Sequence, residues 1–413
     1  MGKKKERRCS FCGRPESEVN NLIGGFAAYI CDECVQIAYE VLKEARLNYE
    51  PQEAAVEEIP KPSQIKAFLD RYIVGQERAK KVISVAIYNH LKRIKHKNRF
   101  DDVELEKSNI LMIGPTGVGK TLMAKTLAKF LNIPYAIYDA TPLTEAGYVG
   151  EDVENILLRL VQNADYNLEK ARYGIIYLDE FDKLSRRQDS PSLTKDVGGE
   201  GVQQALLKIV EGTVANIPPQ GGRKHPEQSY IQLDTSDILF IMGGAFDGLA
   251  DIIRERLGRR EIGFRGEHKR VDDREILRLV QPEDLIKYGI IPEMVGRLHV
   301  IAVFDPLDVD DLVKILTEPR NALVRQYQKL FELEGVNLQF TQKALETIAE
   351  IAMKRGTGAR GLRAIMEEVL NELMFQLPEL KERGVARIII TDETILKHKE
   401  PIFEVREERK AGG

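Results

Sequence analysis

Between residues 109 and 303, short apolar runs alternate with longer stretches whose apolar positions recur every three or four residues. The runs at 109–113, 135–138, 174–178, 238–242 and 300–303 predict strands, and the stretches between them predict helices. Strands alternating with helices imply an α/β domain built on a parallel sheet. At Asp305-Pro306-Leu307-Asp308 the composition changes. Residues 312–330, 342–353 and 362–373 have the period of amphipathic helices, and 385–390, set off by Gly384 and Asp392, predicts a strand. The last part is therefore expected to be a smaller, mainly helical α+β domain. At the other end, a module reaching to about Leu47 holds all four cysteines, and residues 48–62, rich in Pro, Glu and Ala, predict a tether. The expected organisation is 1–47, a linker 48–62, a large domain 63–305 and a small domain 306–413.

The remaining composition narrows the class. A chain of 413 residues with 43% hydrophobic and 31% charged content is expected to form soluble globular domains. Its net charge of −4 provides no global basic field for nucleic acid, and Lys3, Lys4, Lys5, Arg7 and Arg8 make only a local basic tip. No run of about 18 apolar residues predicts a membrane span, and no apolar stretch follows the basic start as a secretory signal would require. The expected location is a reducing, ATP-containing compartment.

The strand at 109–113 runs into Gly114-Pro115-Thr116-Gly117-Val118-Gly119-Lys120-Thr121, and an amphipathic segment beginning at Leu122 follows. This is the setting of a phosphate-binding P-loop. Its glycines let successive N–H groups point inward at phosphate oxygens, and the next helix adds a positive dipole end. Lys120 supplies a point charge for the terminal phosphates, and the Thr121 hydroxyl suits Mg²⁺. The strand at 174–178 ends in Asp179-Glu180. Neighbouring residues at a strand end diverge, so Asp179 can complete the Mg²⁺ shell while Glu180 orients the attacking water.

Cys9-x2-Cys12 and Cys31-x2-Cys34 have the spacing of a four-thiolate zinc site. Four thiolates leave no open position, so such a site is structural. A segment of about forty residues is too small for a stable core of its own, whereas a structural zinc contributes ~10–16 kcal/mol. Two disulfides are the alternative, and they would require an oxidising compartment. Val35, Ile37, Ala38, Val41 and Leu42 give the following helix an apolar side that could bury against a second copy. The acidic residues Glu16, Glu18, Asp32, Glu33, Glu40 and Glu44 offset the basic tip and favour protein partners.

P-loop, intervening strand, Asp-Glu strand and small helical domain together resemble the AAA+ ATPases. With the zinc module in front, the chain resembles the ClpX family of unfoldases across essentially its whole length. The resemblance implies ATP, Mg²⁺ and Zn²⁺ as cofactors, a homohexamer, and a ClpP-type peptidase as partner. It also implies protein substrates and adaptors bound through the zinc module. Ile73 and Val74 resemble the segment that contacts adenine. Arg297, with no carboxylate beside it, resembles the arginine finger that reaches a neighbour's nucleotide, and Arg360 resembles the sensor-2 arginine. Tyr148 and Val149 resemble the pore tip, 190–200 a second pore loop, and Arg223, Lys224 and His225 the loop at the channel entrance. Ile262-Gly263-Phe264, two apolar anchors in polar surroundings, match the peptidase-docking tripeptide. The strand at 238–242 ends in Gly243-Gly244, where many AAA+ proteins place a polar sensor. The rival class is a zinc-finger P-loop ATPase acting on DNA, and a milder variant is an unfoldase that remodels complexes without a peptidase.

Overall fold

A computed structural model describes residues 7–25, 28–48, 59–97, 103, 105–144, 151–185, 199–218, 230–261 and 275–405. The chain divides into two compact units, 1–58 and 59–413.

In the first unit, β1 (Leu22–Gly24) and β2 (Tyr29–Cys31) form an antiparallel hairpin, and the helix Asp32–Asn48 follows directly. Among the described side chains, only Cys9 and Cys31 of its apolar residues are buried. A core of two cysteines cannot hold a fold by apolar burial, so their chemistry must do so.

In the second unit, five parallel strands make the central sheet. They are β3 (Ile110–Ile113), β4 (Tyr135–Asp139), β5 (Ile175–Asp179), β8 (Leu239–Gly244) and β9 (Val300–Val303), in the spatial order β4-β5-β8-β3-β9. The five predicted strands correspond to these five, within a residue or two at their ends. Every residue of β3 and β8 is buried, as a strand covered on both faces must be. One face carries Leu111, Ile113, Ile176, Leu178, Phe240 and Met242 into a large core, the period of two expected for a strand. A separate antiparallel pair is formed by β6 (Val214–Ile217) and β7 (Ile231–Asp234).

β9 leads through Phe304 into the small domain. There β10 (Asn337–Phe340), β11 (Val385–Ile390) and β12 (Ile402–Val405) form a sheet in that order, parallel and then antiparallel. Helices Val309–Thr317, Leu323–Leu333, Gln342–Lys354 and Ala359–Glu382 pack a second core around it. The single helix predicted at 312–330 is two helices. Pro319 has no N–H to continue the ladder, and the Arg320 amide that follows donates outside the helix, to Arg71 O at 2.8 Å. The helix predicted at 362–373 extends to Glu382 and carries Pro378 inside it. Among the described residues, no helix is long and apolar enough to cross a membrane.

Candidate nucleotide and zinc sites

The P-loop follows the C-terminal end of β3, where its neighbours on the sheet are β8 and β9. Gly114 faces Phe304: a Cβ here would lie 2.6 Å from Phe304 O, and the Phe304 amide donates to Ile113 O at 2.7 Å. Gly117 meets the small domain, where a Cβ would lie 2.9 Å from Thr357 O. At these two points the backbone approach admits only glycine.

Gly117, Gly119, Lys120, Thr121, Leu122 and Asp179 of the large domain line a cavity of about 380 Å³ together with Ala359 and Arg360 of the small domain. That volume suits a small ligand. Lys120 is 8% exposed, and its Nζ donates to Gly114 O at 2.5 Å and Pro115 O at 2.8 Å. Burial pulls its ammonium down to about 8, against the attraction of Asp179 and Asp182. An incoming phosphate would favour the charged form again. The Thr121 hydroxyl donates to Asp179 Oδ2 at 2.8 Å, and the Tyr177 hydroxyl donates to Asp179 Oδ1 at 3.1 Å. A hydroxyl and a carboxylate oxygen side by side, at the rim of a phosphate-sized cavity, are the hard oxygen ligands that Mg²⁺ prefers.

Glu180 has a left-handed backbone, φ +54°, a conformation that a residue with a Cβ rarely adopts. Its Oε2 accepts from Thr141 Oγ1 at 3.2 Å, and the same hydroxyl lies 2.6 Å from Asp139 Oδ1. One proton cannot serve both carboxylates at once. The proton goes to the nearer oxygen, that of Asp139, so Thr141 holds Glu180 only weakly.

Of the other residues singled out by sequence, Pro115, Thr116 and Val118 shape the loop but do not line the cavity. Ile73 is buried and Val74 half-buried, also outside the lining. They follow the helix Pro62–Asp70, which packs on the P-loop helix Lys120–Leu131 with Phe68 and Phe130 ring centroids 4.8 Å apart. Arg297 does have a carboxylate beside it in space: Glu211 pairs with its guanidinium at 2.8 Å. This corrects the expectation of an unpaired arginine, because the partner lies 86 residues away in sequence. Arg297 also lies just before β9, at the end of the strands opposite the P-loop, with the four residues of β9, about 13 Å, between them. Tyr148, Val149, Arg223, Lys224, His225, Ile262, Gly263, Phe264 and residues 190–198 lie outside the described residues.

In the first unit, the four sulfurs of Cys9, Cys12, Cys31 and Cys34 lie within 4.8 Å of one another, and none is in a disulfide. A tetrahedral zinc with bonds of about 2.3 Å spaces its sulfurs about 3.8 Å apart, and Cys12 Sγ lies 3.7 Å from Cys31 Sγ. Burial pushes the Cys9 thiol up, but backbone donors at Cys12, Phe11 and Cys31 outweigh it and bring the thiol down to about 6. These amides are ready to stabilise a thiolate. The donor set fits zinc, and the disulfide alternative falls.

Tyr177, Thr141 and Glu211 were not legible as site residues. In sequence Tyr177 is one more residue of an apolar strand, and the other two carry no motif.

Comparison with known families is consistent along the chain. Residues 7–44 match the ClpX C4-type zinc finger, 105–301 match the AAA domain (Cdc48 subfamily), and 307–386 match the C-terminal, D2-small domain of ClpB protein. An ATP-binding parallel-sheet domain, its small companion and a four-cysteine finger thus stand in one chain, with ATP, Mg²⁺ and Zn²⁺ as cofactors. The chain belongs to the ClpX-type AAA+ ATPases.

Proposed function

We propose that this ATPase works as a homohexameric protein unfoldase, which draws protein substrates through an axial pore and delivers them to a ClpP-type peptidase. The observation that carries the reading is the shared wall of the nucleotide cavity. Lys120 and Thr121 come from the large domain and Arg360 from the small one, so the contents of the cavity bear on the angle between the domains. Lys120 holds the terminal phosphates, and Glu180 orients the attacking water. Bound Mg²⁺ supplies charge neutralisation at the phosphates. Arg297, far from its own cavity, serves the nucleotide of a neighbour. Motion about Pro306 and Leu307 then moves Tyr148 and Val149 along the channel. Arg223, Lys224 and His225 attract carboxylate-bearing tags at the entrance, and Ile262, Gly263 and Phe264 anchor the peptidase. On the zinc module, Val35 and Ile37 are exposed, which fits pairing with a second copy and the reception of adaptors. The setting is the bacterial cytoplasm.

The test is a pull-down with Glu180→Gln in ATP. The variant should bind ATP without turnover and retain both substrates and peptidase. A variant hydrolysing ATP at a near-normal rate would remove Glu180 from the role, and capture of DNA in place of protein would favour the rival class.

A further inference from the structure

β8 lies between β5 and β3 in the sheet, so its last residues, Gly243-Gly244, stand between Asp179 and the P-loop. No polar side chain comes from β8 here. Gly243 is absent from the positive-φ residues, so its backbone does not demand glycine. What demands it is Tyr177. A Cβ on Gly243 would overlap the Tyr177 hydroxyl and lie 2.7 Å from Cζ and 2.9 Å from Cε2. The ring starts on β5 opposite Ile241 and runs forward until its hydroxyl covers Gly243.

From there the hydroxyl reaches Asp179. Oδ1 of that carboxylate accepts from Tyr177 at 3.1 Å and from the Glu180 amide at 3.1 Å, and Oδ2 accepts from Thr121 at 2.8 Å. Each oxygen has two acceptor positions. Oδ1 is therefore full, and Oδ2 keeps one position towards the cavity. Without the phenol, the carboxylate could turn and offer either oxygen. Tyr177 is 1% exposed, and burying a hydroxyl is costly unless it has a partner. A phenylalanine would fill the same space at no such cost.

We infer that Tyr177 is a positioning residue for hydrolysis: reaching across β8 through the space left by Gly243, its hydroxyl locks the Asp179 carboxylate with one oxygen presented to the nucleotide-bound Mg²⁺. The inference rests on the ATPase reading of the cavity.

Tyr177→Phe keeps the ring and removes only the lock. Binding of a fluorescent N-methylanthraniloyl-ADP, titrated in EDTA and again with Mg²⁺, separates the two roles. Affinity in EDTA and the unfolding temperature should match those of the unmodified chain, whereas the gain in affinity on adding Mg²⁺ should shrink ~10-fold, the scale of one hydrogen bond to a charged group. ATP turnover should fall with it, mainly in kcat. A double variant, Tyr177→Val with Gly243→Ser, returns a hydroxyl from β8 and should recover part of the Mg²⁺ gain. An unchanged Mg²⁺ gain in Tyr177→Phe overturns the inference, as does an equal loss in EDTA, which would make the residue merely structural. If the unmodified chain fails to hydrolyse ATP, it is the ATPase reading that falls.

Discussion

Gln76 grips the peptide groups of Asp305 from both sides: its Nε2 donates to Asp305 O at 2.8 Å, and its Oε1 accepts from Asp305 N at 2.8 Å. The Asp305 carboxylate is held too, by the Arg278 guanidinium at 2.9 and 2.8 Å. The first residue after β9 and Phe304 thus belongs rigidly to the large domain. Any change of angle between the domains begins after it, at Pro306 and Leu307.

Gln76→Ala should test that grip. Gln76 is 6% exposed, and its removal takes this partner from the N–H and C=O of half-buried Asp305. The cost is about 1–3 kcal/mol for each group left unsatisfied. A lower unfolding temperature of the 59–413 unit and a weaker dependence of ATP turnover on added protein substrate are expected. An unchanged unfolding temperature would show that the two hydrogen bonds do not hold the junction.

The placement of Arg297 makes a prediction about mixtures. Arg297→Ala and Glu180→Gln chains should each be nearly inactive while still binding nucleotide. General-base and charge-stabilising groups are each worth at least ~100-fold. Mixed in equal amounts, they should regain measurable ATP turnover, because some interfaces then pair an intact Glu180 with an intact Arg297. No recovery across mixing ratios would place Arg297 in its own site or outside catalysis.

Chelation should separate the two units. Removing zinc should unfold 7–48, because among the described side chains of this unit Cys9 and Cys31 are the buried apolar ones. The ATPase unit has its own two cores and should keep its basal turnover. One zinc released per chain, measured colorimetrically, with loss of the first unit's helical signal alone, is the expected result. Parallel loss of basal ATPase would contradict it.

His90 should govern part of the acid stability. It is buried on the helix Glu77–His96, and burial, aided by Arg93 and Lys107, lowers it to about 3, while Asp237 pulls the other way. The folded protein keeps this imidazole neutral, whereas the unfolded chain protonates it near 6.5. Stability is therefore full above pH 6.5 and declines as pH falls towards 3, by at most about 1.4 kcal/mol per pH unit. His90→Gln should flatten the fall in unfolding temperature between pH 6.5 and 4.5. An unaltered slope would assign the acid sensitivity to other groups.

What could be read from the sequence was local. The P-loop, the Asp179-Glu180 pair, each Cys-x-x-Cys pair and each of the five sheet strands declare themselves within about a dozen residues. The break at Pro319 was visible as a residue type but lay inside a strong apolar period, which masked it. β10 and β12 are four-residue strands with little pattern of their own, and they exist because β11 pairs with them. The site's supporting contacts are long-range. Gln76 and Asp305 are 229 residues apart, and Glu211 and Arg297 are 86 apart. The glycines at 243 and 244 looked like a missing polar group. In the fold they are the room that Tyr177 and Asp182 occupy, since a Cβ on Gly244 would lie 2.5 Å from Asp182 Oδ1.

The contact of Gly114 with Phe304 gives the machine a very short transmission. The residue that opens the phosphate loop lies directly against the residue that precedes the joint. On the proposed function, a shift of the loop would press on main chain that Gln76 and Arg278 tie to the large domain at Asp305, so that Pro306 is the first residue able to turn. Force can pass from fuel to lever through one backbone touching another, without an intervening train of side chains whose rotamers could absorb the stroke.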